Sequence, residues 1–174
     1  ETDHAVFLDC RSLEAQSIEL GFAAEGLELL IIDTKVAHRL VDGGYATRRA
    51  ACEAGAAALG ETSLRDVAVT DLGRAKELLD DVTYRRVRHV VTENQRVLDT
   101  VKALQETGPR SIGKLLYASH ESMRDDFEIS VDELDTAVET ALRHGAIGAR
   151  MTGGGFGGAA IALTPIEKIG EVSL

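Results

Sequence analysis

Cysteine is scarce in this sequence: only Cys10 and Cys52 occur, with no CxxC pair and no Cys/His cluster at zinc spacing. Neither a disulfide framework nor a structural metal is expected, and a reducing, cytoplasmic setting fits best. Long hydrophobic runs are also missing. The longest strongly apolar one, Leu29-Leu30-Ile31-Ile32, falls far short of the roughly 20 residues that span a bilayer, so no membrane segment is expected. Basic residues are in deficit, 19 Lys and Arg against 29 Asp and Glu, giving a net charge of −10. That balance argues against nucleic acid or anionic lipid as a partner, since both depend on cationic side chains facing phosphates. Small-molecule chemistry or protein contacts are expected instead. The first residues, Glu1-Thr2-Asp3-His4, include neither a methionine nor the basic-then-apolar run of a signal peptide, so the chain is expected to begin mid-protein or after processing.

What the sequence does contain is enough apolar material, 44% of 174 residues, for one compact domain over residues 1–174. Val6-Phe7-Leu8-Asp9 and Ser17-Ile18-Glu19-Leu20 read as an antiparallel pair of strands. Leu27 to Thr34 reads as a third. Its Leu-Leu-Ile-Ile centre is apolar at consecutive positions, which predicts a central strand covered on both faces.

A helical middle follows. Tyr45 to Leu59 is rich in Ala, Arg and Glu, with Asp42-Gly43-Gly44 as a turn and N-cap before it and Gly60 after it. From Arg85 to Gln105, Val87, Val90, Val91, Val97, Leu98, Val101 and Leu104 recur at three- and four-residue spacing, which predicts one long helix with a buried stripe. Leu115 to Phe127 predicts another helix. Ser130-Val131-Asp132-Glu133 has the form of a capping box opening a helix with Leu134, Val138, Ala141 and Leu142 on one face, ended at Gly145. Ile147 to Met151 and Ala159 to Leu163 read as two last strands. The whole predicts an α+β, two-layer domain: an antiparallel sheet of about four strands covered by helices on one face.

Between those last strands lies Thr152-Gly153-Gly154-Gly155-Phe156-Gly157-Gly158. Five glycines in six positions remove Cβ atoms where a chain bends sharply or where something, such as a phosphate, approaches the backbone. Gly153, Gly155 and Gly158 satisfy GxGxxG spacing, but a dinucleotide fold needs a helix next and an acidic residue about 20 positions on. A strand follows here. The Gly-Lys-Ser/Thr of a P-loop does not occur. By spacing alone, a glycine hairpin that serves only packing stands level with a ligand-facing loop.

The stretch Gly148-Ala149-Arg150-Met151-Thr152-Gly153-Gly154-Gly155-Phe156-Gly157-Gly158 resembles the third conserved motif of the GHMP kinases in its galactokinase form. Leu40-Val41-Asp42-Gly43-Gly44-Tyr45-Ala46-Thr47-Arg48-Arg49, Arg88-His89-Val90-Val91-Thr92-Glu93-Asn94, Ser119 to Phe127 and Asp9-Cys10-Arg11-Ser12-Leu13 are similar to further stretches of that family, in the same order.

The resemblance implies ATP-dependent phosphorylation of the anomeric hydroxyl of galactose, with magnesium. It implies that this chain is a C-terminal domain, shortened at both ends and paired with an N-terminal domain of the same protein, and a monomeric parent is expected. The family's catalytic aspartate, its phosphate loop and its magnesium ligands would all lie before residue 1, so no catalytic residue and no metal ligand is expected here and the segment alone is expected to be inactive. Tyr45 matches the family's galactose-contacting tyrosine; an aromatic ring with a hydroxyl suits a sugar's apolar face and polar rim. Gly153, Gly154, Gly155, Gly157 and Gly158 match a loop that shapes the active site.

After Thr164-Pro165 the family continues through a helix to a last strand, which this chain is expected to lack. Two alternatives stay open, a kinase for another sugar such as N-acetylgalactosamine or arabinose, and a non-catalytic galactose- and ATP-binding sensor. His120, Ser122 and Arg124 are read as a helix-surface or interdomain contact rather than a catalytic cluster. His38, His89 and His144 are read as structural or solvated, and Asp125-Asp126 and Asp132-Glu133 as solvated faces or helix-end charges.

Overall fold

In a computed structural model, which describes residues 2–36 and 44–172, the chain is α+β. Strands β1 (His4–Leu8) and β2 (Ala15–Glu19) form an antiparallel hairpin, with Val6 opposite Ser17. Strand β3 (Leu27–Asp33) joins a second sheet with β4 (Gly148–Met151) and β5 (Ala159–Pro165) in the order β3-β5-β4, antiparallel throughout. The expected sheet of about four strands is thus two sheets, of two and three.

The helices are α1 (Gly44–Leu59), α2 (Leu72–Leu78), α3 (Asp81–Glu106), α4 (Gly113–Ser122), α5 (Asp132–Arg143) and the short α6 (Ile169–Val172). The expected N-cap at Asp42 lies outside the described residues, as does His38. Asp80 caps α3, its carboxylate accepting the Thr83 N–H. That single bond satisfies one of the orphan amides of the first turn and starts the 26-residue helix.

Helices α4 and α5 pack on the three-stranded sheet. Leu134, Val138 and Ala141 of α5 meet Ala149, Met151, Ala160 and Ala162 of the strands. The small residues on the sheet let the helices lie close. Helices α1, α2 and α3 enclose a second cluster around Ala56, Leu59, Ala75, Val87 and Val91.

Three expectations need correction. Strand β3 is an edge strand with β5 on one side only; Leu30 and Ile32 pack on the core, whereas Leu29 is half-exposed and Ile31 is 75% exposed. Its continuous apolar run is therefore not the mark of a doubly covered strand. The stripe of α3 is buried at Val87 and Val91 but exposed at Val97 and Leu98, because the three-helix cluster reaches only its first half. The capping box at Ser130 does not form. The Ser130 hydroxyl donates to Asp135 Oδ1 at 2.5 Å, and the Val131 carbonyl, one residue later, receives the first amides of α5.

Candidate functional site

Tyr45 stands in the first turn of α1 and is 79% exposed. A ring left this open at a helix start adds little to the core. One turn further along, Arg48 reaches the segment that follows α4: its guanidinium donates to the carbonyls of Phe127 at 3.1 Å and Glu128 at 2.8 Å. It also lies 5.6 Å from the centre of the Phe156 ring, in the glycine loop. Burial, with the Arg86 charge nearby, pulls the Arg48 pKa down. The carbonyls and the ring face are the compensation for that burial.

The loop from Thr152 to Gly158 joins β4 to β5 and is pinned at several points. Thr152 N–H donates to the Ala159 carbonyl at 2.9 Å, and Phe156 N–H to the Ile129 carbonyl at 2.7 Å. Thr34 donates from both its amide and its hydroxyl to the Gly158 carbonyl. Gly155 cannot carry a side chain. Its φ is +84°, and a Cβ there would lie 2.4 Å from the Ile129 carbonyl oxygen. Packing against residue 129 thus requires glycine at 155, while Gly153 and Gly154 face open space.

The turn beneath the loop, Met123–Phe127, is a single π-helical turn closing α4, with Glu128 left-handed at φ 53°. Arginines hold it. Arg85 donates to Glu128 and to the Asp125 carbonyl, Arg86 to Glu128 and the Asp126 carbonyl, and Arg88 to the Asp126 carboxylate. Hydrogen bonds from Arg85 and Arg86 bring the Glu128 carboxyl down to about 2.

Beside this turn, His89 is buried, stacks on Phe127 at 4.5 Å between ring centres, and shares a 3.0 Å hydrogen bond with Ser122. Burial pushes its pKa down to about 4, so its imidazole is neutral near pH 7. The reading of His89 as structural holds, and His144 is exposed. The readings of three other residues do not. Asp126 is buried and paired rather than solvated, and His120 and Ser122 are buried rather than at a helix surface. Ser122 and His120 do face apart, toward Asp126 and toward β4 respectively.

Sequence reasoning missed this arginine cage, yet a signal was there. Arg85-Arg86-Val87-Arg88 on one segment mirrors Asp125-Asp126-Phe127-Glu128 on the other in spacing and charge. It also missed Glu93, which accepts from Ser119, from Arg96 Nε at 2.7 Å and from Arg150 Nη1 at 3.1 Å. Burial works to raise the Glu93 carboxyl, but those hydrogen bonds and charges outweigh it and hold its pKa below the ordinary value. Ion pairs between distant segments carry no local periodicity.

Residues 100–171 match the family described as GHMP kinases C terminal. Within that family its similarity is to galactokinases. It is 51% identical to the galactokinase of Streptomyces coelicolor over 99% of this chain and 45% of that protein, and 46% identical to that of Mycobacterium tuberculosis over 97% and 47%. A crystal structure of Lactococcus lactis galactokinase complexed with galactose superposes with a TM-score of 0.91 at 32% identity, covering 99% of this chain and 45% of that one. L. major mevalonate kinase shares the fold alone, at a TM-score of 0.56 and 21% identity. The chain spans about half the length of the curated relatives it matches. No described helix is long and apolar enough to cross a membrane.

Proposed function

We propose that this chain is the C-terminal part of an ATP-dependent galactokinase, transferring the γ-phosphoryl group of ATP to the anomeric hydroxyl of galactose. The observation that carries the reading is the joint agreement of sequence and shape with galactokinases along 99% of the chain, at 51% identity to one and a TM-score of 0.91 to another. In the reaction the sugar oxygen forms a bond to the γ-phosphorus while the bond to ADP breaks, and the hydroxyl proton passes to a base. Such transfer needs positioning and charge neutralisation more than covalent help.

In this reading residues 1–174 act as one domain. They supply a wall of the cleft rather than its catalytic groups, and an N-terminal domain of the same protein supplies the base and most contacts to ATP. Magnesium, which neutralises charge on the phosphates, would be held there too; among the described residues no three His, Cys, Asp or Glu side chains are grouped to hold a metal. Tyr45 would contact galactose, its exposure leaving the ring and hydroxyl available. Gly153, Gly154, Gly155, Gly157 and Gly158 would shape the site, with Arg48 fixing the loop relative to α1. Cytoplasmic residence and a monomeric parent belong to the same proposal.

The test is product formation by the full-length protein with ATP and magnesium, galactose and N-acetylgalactosamine being offered separately. The proposal expects galactose 1-phosphate. Preference for the other sugar, or galactose binding without turnover, would overturn it. The isolated 174-residue chain should be inactive.

A further inference from the structure

Met151 is the last residue of β4, which lies at an edge of its sheet. It stands opposite Ala160, and the next residue, Thr152, donates to Ala159. In an antiparallel ladder the hydrogen-bonded positions alternate. Met151 occupies the other kind of position, so its N–H and C=O point away from β5. A buried backbone group in that place needs a partner. Both partners are side chains: His120 Nδ1 accepts the Met151 N–H at 3.3 Å, and Arg150 Nε donates to the Met151 carbonyl at 2.9 Å.

We propose that His120 and Arg150 are positioning residues that grip both backbone groups of Met151 and so set where the glycine loop leaves the sheet. For turnover this rests on the kinase reading above; the mechanical part does not. Each gripping side chain is itself held. Arg150 Nη1 donates to Glu93, which Arg96 and Ser119 also hold, tying β4 to α3 and α4. His120 Nε2 lies 3.2 Å from Asp135 Oδ1 of α5, an electrostatic contact that falls short of hydrogen-bond geometry.

The loop depends on such anchors because Gly153, Gly155, Gly157 and Gly158 all have positive φ and bring little stiffness of their own. Its tip and far leg are fixed through Ile129 and Thr34, and its near leg through Met151. An imidazole that accepts at Nδ1 must be neutral, with its hydrogen on Nε2 toward Asp135. Burial lowers the His120 pKa in that direction, against Asp135 and with Arg124 and Arg150, the charged groups that face the ring.

The experiment compares His120→Leu with His120→Asn in the full-length enzyme, because an Asn carbonyl can take the place of the Nδ1 acceptor. Hydrogen exchange is read over residues 151–158, with kcat and KM for galactose alongside. Losing one buried acceptor should speed exchange of the loop by about tenfold in His120→Leu, lower kcat by a similar factor, and be largely restored in His120→Asn. Val87→Ala, a core truncation in the three-helix cluster, controls for general loosening and should leave the loop's exchange unchanged. Wild-type exchange in His120→Leu, equal loosening by Asn and Leu, or equal loosening by Val87→Ala would each overturn the proposal. Should the wild-type protein not phosphorylate galactose, the kinase reading fails while the exchange comparison still decides the grip.

Discussion

Gly113 and Gly148 touch backbone to backbone. A Cβ on Gly113 would stand 2.1 Å from the Ile147 carbonyl oxygen, and one on Gly148 would stand 2.5 Å from Gly113 Cα. The first residue of α4 is thereby held against the first residue of β4, the strand that leads into the glycine loop. Gly113→Ala or Gly148→Ala must push helix and strand apart, since no flexible side chain can yield. Each should destabilise the chain by about 1–3 kcal/mol or more in urea unfolding; unchanged midpoints would mean that the contact is looser than described.

Within the loop, three neighbouring glycines should respond differently to alanine. Gly154 has ordinary φ and open space around its missing Cβ, so Gly154→Ala should be nearly neutral. Gly153 has φ +81° and open space, so alanine there should meet only backbone strain of about 1–2 kcal/mol. Gly155 combines positive φ with the clash at Ile129 and should lose most. Thermal unfolding of the three variants checks the order 154, 153, 155.

Two side chains predict how stability changes with acid. His89 has a folded pKa of about 4 against an ordinary 6.5, because burial disfavours its charge. The unfolded chain takes up the proton first, so stability is fully present above pH 6.5 and falls as pH drops toward 4. The swing should be about 3 kcal/mol, and His89→Gln should abolish it. Glu93, Arg96, Asp126 and Arg150 surround the ring and modulate it. Glu128, held by Arg85 and Arg86, is depressed from 4.5 to about 2; its contribution is present above pH 4.5 and lost as pH falls toward 2. Glu128→Gln should flatten only that lower limb. Urea midpoints between about pH 3 and 7 separate the two residues.

Much of this fold was legible in the sequence, and the exceptions have physical causes. Helices α3 and α5 were readable because apolar residues recur at helical spacing, and the β1–β2 hairpin because a short polar link joins two apolar runs. The edge position of β3 was not, since pairing partners are set by chain topology rather than by the strand's own residues. Ser130 carried the local pattern of a cap, but Asp135 competes for its hydroxyl five residues away. Asp126 reads from the sequence as a solvated charge and His120 as a helix-surface or interdomain contact, while nothing in the local sequence singles out Glu93 or Arg150 as ion-pair partners. Their burial follows from partners 26 to 57 residues distant in the pairs Ser119–Glu93, His120–Met151, Arg88–Asp126 and Glu93–Arg150. The candidate site divides in the same way: Tyr45 and the glycine loop were found through their resemblance, whereas Arg48, which links them, was found only in three dimensions.

The claim that α1 and the glycine loop form a sugar-facing wall is tested most directly by the KM for galactose of Tyr45→Ala in the full-length enzyme. An exposed ring that touches the sugar in ground and transition states alike should raise KM about tenfold on removal while kcat stays within a few-fold, with Tyr45→Phe between wild type and alanine. A wild-type KM in Tyr45→Ala would contradict the account, because the most exposed aromatic residue of the site would then contribute nothing to holding the substrate.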